Sequence, residues 1–218
     1  MSEITLPFVG FQKIPRLSRE VVITEKIDGT NAQIFIPELP QEIEEIQRIG
    51  FPFYVGSRTR WITPDDDNAG FARWAYANAE EILELGPGHH MGEWWGLGIQ
   101  RGYGLKEKRF SLFNTGKWVD RHTLPVDMAG YSCSSIAALC SLGDKQLFAP
   151  ECCHVVPVIA SGIFSTGLVE YSLQRLITKG SLASPGFDKP EGIVIFHTAS
   201  NYLFKQTIKG DDDGKGFK

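Results

Sequence analysis

Val21-Val22-Ile23-Thr24-Glu25-Lys26-Ile27-Asp28-Gly29-Thr30-Asn31-Ala32-Gln33-Ile34-Phe35-Ile36 is the stretch on which the reading of this sequence turns. Two β-branched or alternating runs, Val21–Ile27 and Ala32–Ile36, flank Asp28-Gly29-Thr30-Asn31. That is a strand–turn–strand signal. Residues two apart on a strand share a face. Lys26 and Asp28 are therefore expected to point into one cleft, with Ile27 packing the other way. A lysine that is partly desolvated and close to other cations gives up its proton more readily and becomes a nucleophile. A Lys-x-Asp-Gly string alone is commonly a surface hairpin, so its meaning depends on the rest of the chain.

The chain has 218 residues, 42% of them hydrophobic, enough for one domain with a real core. Charged residues make up 22% and aromatics 11%, which excludes a disordered chain. The net charge is -4, from 22 basic and 26 acidic residues. The overall field mildly repels a polyanion, so a nucleic-acid partner needs a local basic patch. The stretch from Arg101 to Arg121, with Lys106, Lys108, Arg109 and Lys117, is the candidate. The N-terminus lacks a signal-peptide pattern and no run reaches transmembrane length, so a cytoplasmic protein without a membrane partner is expected. Cys133, Cys140, Cys152 and Cys153 form no Cys-x-x-Cys pair and read as free thiols. Cys152-Cys153-His154 hints at zinc, but a second ligand pair at suitable spacing is missing.

Further strands are expected at Phe53–Arg58, Phe110–Asn114, Val155–Ile159, Gly192–His197 and Tyr202–Ile208. Asp65–Asp67 is placed to cap a helix over Ala69–Leu85. A second helix spans Leu168–Thr178, with Leu168, Tyr171, Leu176 and Ile177 toward the core. Shorter helices are expected near Glu42–Arg48 and Ser134–Leu142. Many strands without regular βαβ alternation predict an α+β fold with largely antiparallel sheets.

Five more segments carry chemistry in a fixed order. Val55-Gly56-Ser57-Arg58-Thr59-Arg60 ends a strand on arginine, whose guanidinium grips phosphate in bidentate fashion. Gly92-Glu93-Trp94-Trp95-Gly96 presents a carboxylate able to accept hydroxyl protons. Arg109-Phe110-Ser111-Leu112-Phe113-Asn114-Thr115 offers two aromatics, three residues apart and so on opposite strand faces. Pro190-Glu191-Gly192-Ile193-Val194-Ile195 sets a glutamate before an apolar strand. Leu203-Phe204-Lys205-Gln206-Thr207-Ile208-Lys209 puts two lysines on one strand face. In this order, the segments resemble the motifs of the covalent nucleotidyltransferase superfamily: ATP-dependent DNA ligases, RNA ligases and mRNA-capping guanylyltransferases. The spelling Glu25-Lys26-Ile27-Asp28-Gly29-Thr30-Asn31 is most similar to the RNA ligase branch of phage repair and trypanosome editing ligases. The resemblance covers roughly Phe11 to Lys209.

The resemblance implies a nucleotidyltransferase fold around an ATP cleft and an ATP-dependent RNA ligase that joins 5′-phosphate to 3′-hydroxyl ends. Lys26 would carry AMP covalently, with Arg58 and Lys205 on phosphates. Glu25, Ile27, Asp28, Gly29, Asn31, Glu93, Phe113, Glu191 and Lys209 would complete the nucleotide site. Phe113 is preferred to Phe110 as the base-stacking ring. Glu191, with Asp28 and Glu93, would hold Mg2+ or Mn2+ through hard carboxylate oxygens. The partner would be a nicked or end-bearing RNA or DNA duplex. The alternatives are a minimal DNA ligase and a non-catalytic nucleotide- or end-binding module. Asn114, where DNA ligases usually have aspartate, argues against the DNA branch. The expected organisation is one domain over 1–210 and a polar tail over 211–218, without an OB-fold or C-terminal helical domain. Pyrophosphate would then be oriented by Lys205, Lys209 and Lys215, or by a partner protein.

Overall fold

The computed structural model describes residues 10–11, 13–38, 50–123 and 146–208. The helices expected near Glu42–Arg48 and Ser134–Leu142, residues Cys133, Cys140, Lys209 and Lys215, and the 211–218 tail lie outside them. In chain order come β1 (Glu20–Lys26), β2 (Thr30–Ile36), β3 (Tyr54–Ser57), β4 (Trp61–Ile62), α1 (Phe71–Ala77), α2 (Ala79–Leu83), β5 (Gly88–Gly96), β6 (Lys108–Leu112) and β7 (Trp118–Val119). A 3-10 turn (Arg121–Thr123) is followed by β8 (Leu147–Phe148), β9 (Cys153–Val155), β10 (Val158–Ile163), α3 (Thr166–Lys179), β11 (Gly192–His197) and β12 (Tyr202–Thr207).

Two sheets carry the fold. One has four antiparallel strands in the order β10-β1-β11-β12. The other has six, in the order β4-β3-β2-β5-β6-β9, antiparallel except for the parallel pair β6–β9. The mixed, largely antiparallel α+β expectation holds. The strand–turn–strand is not a hairpin, however: β1 and β2 lie in different sheets, and Ile27–Gly29 carries the chain between them. The strand expected over Val155–Ile159 divides in the same way. β9 belongs to the six-stranded sheet and β10 to the four-stranded one, with Pro157 between them. Proline has no N–H for a ladder, so the chain changes sheets there. Its carbonyl still accepts from Glu25 N at 2.9 Å.

Three apolar clusters follow from this layout. Ile34, Val55, Trp94, Phe110 and Leu112 of the six-stranded sheet, with Phe53 just before β3, pack against Phe71, Ala75 and Ile82 of α1 and α2 and Leu85 just after them. Val21, Ile23, Ile193 and Ile195 of the four-stranded sheet pack against Leu176 of α3. Ile27 and Val156, one at each sheet crossing, meet Trp95 and Tyr103 in a small core of their own.

The helices differ from expectation in two ways. The span from Ala69 to Leu85 is broken at Asn78 into α1 and α2, and Asn78 Nδ2 bonds back to Trp74 O at 2.7 Å. Asn competes in this way with helical backbone bonding. Asp67 does serve the first turn, accepting from Ala72 N at 2.8 Å and Arg73 N at 3.2 Å. α3 begins at its cap, Ser165, whose Oγ accepts from Leu168 N. Its inward stripe is Val169, Ser172, Leu173 and Leu176, with Leu168 beside it. Tyr171 and Ile177, expected inward, are 60% and 49% exposed. Spacings of three and four from Val169 define the buried stripe, and both residues fall off it. Leu176→Ala should cost about 2–5 kcal/mol in chemical denaturation, whereas Tyr171→Ala should stay within about 0.5 kcal/mol. Equal losses would contradict this helix face.

Candidate active site

Lys26 is the last residue of β1, and its register partner on β11 is Gly192, which pairs in turn with Thr207 on β12. Alternation gives each sheet face its own set of residues. Val21, Ile23 and Glu25 face α3, whereas Thr24 and Lys26 face away from it, together with Val194 and Lys205. Lys26 Nζ lies 2.5 Å from Glu191 Oε2, with side chains 23% and 15% exposed. Lys205 is exposed on the same face, opposite Val194.

The other wall comes from the six-stranded sheet. Asn31 pairs with Glu93, and Glu93 with Ser111, so their side chains share a face. Glu93 is buried and pins the sheet crossing: Oε1 accepts from Gly29 N at 3.0 Å and Oε2 from Asn31 Nδ2 at 3.3 Å. Burial raises its carboxyl from 4.5 to about 7. Lys26 and the Gly29 bond oppose that rise, while Glu191 and Asp28 add to it. Gly29 has no room for a side chain, since a Cβ there would lie 2.5 Å from Trp94 O and 2.7 Å from Trp95 Cβ. Trp94 belongs to the core, and Trp95 walls the small core at the crossing, with its Nε1 donating to Ser111 Oγ at 2.9 Å.

The two aromatics divide as their spacing requires. Phe110 is fully buried against Phe71, at 4.9 Å between ring centroids. Phe113 lies just past β6 on the Glu93 face, 41% exposed, with its N–H donating to Met91 O.

Arg101 is a member of the site that the motif reading did not assign. Its Nε donates to Asp28 Oδ2 at 2.8 Å, and its Nη1 donates to Lys189 O at 3.0 Å and Pro190 O at 3.4 Å. One guanidinium thus ties the turn after Lys26 to the backbone leading into Glu191. Nearby, Asp28 N donates to the Tyr103 hydroxyl at 3.0 Å. Gln100 and Tyr103 on either side of Arg101 have positive φ (46° and 51°) without being glycine. Such strain persists only where surrounding contacts hold it, and it gathers at functional sites. The glycines at 96, 98, 102 and 104 were the sequence signal for this loop.

Several expected residues take other positions. The Glu25 side chain lies on the face of β1 opposite Lys26. Its Oε2 accepts from Leu182 N and Ala183 N, and burial raises its carboxyl. The Ile27 side chain packs into the core, away from Lys26, as its alternation on the strand requires. Arg58 falls after β3, exposed in a turn and not on the strand. Arg60, two residues further on, is paired with Asp66. Several cations of the Arg101–Arg121 stretch bond neighbouring groups, while Lys106 and Lys108 stay exposed. Arg101 holds Asp28, Lys108 bonds Ala69 O, Arg109 bonds Glu107, and Lys117 bonds Leu85 O. Strand alternation also sends Lys108 and Arg109 to opposite faces.

Among the described residues no helix is long and apolar enough to cross a membrane. No curated protein matches the sequence. The solved structures it resembles include apo, ATP–manganese and AMP–manganese forms of mutants of the Naegleria gruberi RNA ligase. The apo form shares 17% identity at a TM-score of 0.50, covering 87% of this chain and 50% of that one. The form with ATP and Mn shares 18% identity at a TM-score of 0.50, covering 88% and 51%. The form with AMP and Mn shares 16% identity at a TM-score of 0.50, covering 88% and 50%. The likeness is one of fold, and the chain spans about half the length of these ligases. The family model described as RNA ligase matches residues 19–209. Over nearly its whole length, then, this chain belongs to the RNA ligase family.

Proposed function

We propose that this chain is the adenylating core of an ATP-dependent RNA ligase, with a covalent nucleotidyltransferase fold and Lys26 as nucleophile. The observation that carries the reading is the meeting of Lys26, Glu191, Glu93, Asp28 and Arg101 at one sheet crossing, with Lys205 on the Lys26 face. Attack needs the lone pair of Lys26, so its pairing with Glu191 has to open first. The amine nitrogen then bonds the α-phosphorus of ATP, the bond to the bridging oxygen breaks, pyrophosphate leaves and the amine proton goes to solvent. Lys205 and Arg58 supply charge to phosphate oxygens. Phe113 offers a half-exposed ring to the base. A 5′-phosphate oxygen next displaces Lys26 from the α-phosphorus. A 3′-hydroxyl finally attacks that activated end and releases AMP.

Glu191, Glu93 and Asp28 suit a hard divalent cation such as magnesium or manganese. Burial is the main cause of the rise of the Glu93 carboxyl, with Glu191 and Asp28 adding to it, and a cation bound among the three acids would oppose that rise. When bound, it would neutralise charge developing on the phosphoryl oxygens. The spelling of the Lys26 motif favours RNA over DNA, a choice read through the 2′-hydroxyl.

With α-labelled ATP and a divalent metal, the wild type should carry label after denaturation and Lys26→Ala none. Absence of label on the wild type, once bound AMP is stripped, would refute self-adenylation. Sealing of nicked RNA and DNA duplexes then tests the substrate. Arg101→Ala should slow lysine labelling by about 10²-fold, with a smaller change in the KM for ATP, because misplacement near 1 Å costs about that much. Arg101→Lys should not restore the rate, since an ammonium cannot span both partners. Glu93 sets a pH dependence of stability. Its folded value of about 7 lies above the ordinary 4.5, so the folded state holds a proton that the unfolded chain lacks in between. The contribution is whole below 4.5 and is lost as pH rises through about 7. Denaturation across that window should show wild type losing stability relative to Glu93→Gln as pH increases.

A further inference from the structure

Away from the cleft, at the edge of the six-stranded sheet, Asp120, His122 and His154 place one ligand atom each within 4.8 Å of one another. Asp120 follows β7, His122 lies in the 3-10 turn and His154 is in β9. His154 pairs with Ser111 and Ser111 with Glu93, so the cluster stands two strands across from the cleft carboxylate. We propose that these three side chains bind a divalent transition-metal ion of the zinc class.

The carboxylate is already aimed. Asp120 is buried, its Oδ1 accepting from His122 N at 2.9 Å and its Oδ2 from Val155 N at 3.0 Å. Burial pushes its carboxyl up, but the His154 contact and the N–H bonds outweigh that and hold it below 3.8. His154 Nδ1 lies 3.4 Å from Asp120 Oδ2. That is long for a hydrogen bond, and it is close to the about 3.4 Å between two ligand atoms of a tetrahedral ion with bonds near 2.1 Å. His122 Nε2 lies 2.9 Å from Glu151 O. A carbonyl only accepts, so Nε2 carries the proton and Nδ1 keeps its lone pair. A backbone oxygen on the second ring nitrogen is the usual support of a metal-binding histidine. The two rings lie 4.4 Å apart. Two imidazoles and one carboxylate suit zinc, cobalt or nickel better than magnesium.

The site differs from the zinc reading suggested by Cys152-Cys153-His154. Cys153 is buried in the large core and Cys152 packs against it. Among the described residues, His154 meets its partners through the fold and not along the sequence. An ion here would tie the chain at residues 120–122 to β9, whose parallel pairing with β6 is only three residues long.

The test is titration calorimetry of EDTA-stripped protein with Zn2+, and absorption spectroscopy with Co2+. We expect one equivalent of Zn2+ bound by wild type, with a rise in Tm, and both lost in His122→Ala and in His154→Ala. His122 is exposed, so His122→Ala keeps the test valid should His154→Ala fail to fold, as circular dichroism would reveal. No zinc uptake by wild type, or uptake unchanged in His122→Ala, overturns the proposal. Loss of uptake in Cys152→Ser, or a thiolate charge-transfer band with cobalt, assigns the ion to cysteine and also overturns it. None of these readouts depends on the ligase reading.

Discussion

The chain passes from one sheet to the other at Ile27–Gly29, and this passage sets the geometry around it. Gly29 fits against Trp94 O and Trp95 Cβ with no space for a side chain. Glu93 then takes Gly29 N, and Asn31 reaches the same carboxylate. Ile27 plugs into the apolar pocket formed by Trp95, Tyr103 and Val156. A turn anchored on both sides by packing and hydrogen bonds cannot drift. The residue just before it, Lys26, inherits that rigidity, as the nucleophile proposed above would need.

Charges of both signs crowd the crossing. Two close ion pairs, Lys26–Glu191 and Arg101–Asp28, sit beside Glu93, which burial and its acidic neighbours push toward neutrality. The pairs are part-buried, so each loses hydration that its attraction only partly returns. Under the proposed function, an incoming phosphate would take over the cations and a divalent ion the acids. Under that reading, both exchanges would release Lys26 from Glu191.

The Gly96–Gly104 loop shows how a strained segment can serve a site on other strands. Its left-handed residues hold Arg101 between two motifs that are distant in sequence, Asp28 on one side and the Lys189–Pro190 carbonyls on the other. Ser184 Oγ donates to Tyr103 O at 2.9 Å, which ties the same loop to the segment that also receives Glu25. Glu25 is thus a brace on the face of β1 opposite Lys26.

Local chemistry by itself determined a good deal. The alternating runs around Lys26 marked two strands, the apolar residues from Leu168 on marked α3, and the order of short motifs marked the RNA ligase family. The opposite faces of Phe110 and Phe113 followed from a spacing of three alone. Only the tertiary structure decided that β1 and β2 lie in different sheets, because a short turn between alternating runs looks the same in a hairpin and in a crossing. It also turned Tyr171 and Ile177 outward, since hydrophobicity does not say which stripe of a helix meets the sheet. Arg101 was invisible as a site residue because its partners lie 73 and 88 positions away. The same holds for Asp120, His122 and His154. Sequence patterns record neighbours along the chain, whereas a guanidinium bridge or a ligand cluster is made by strands that only folding brings side by side.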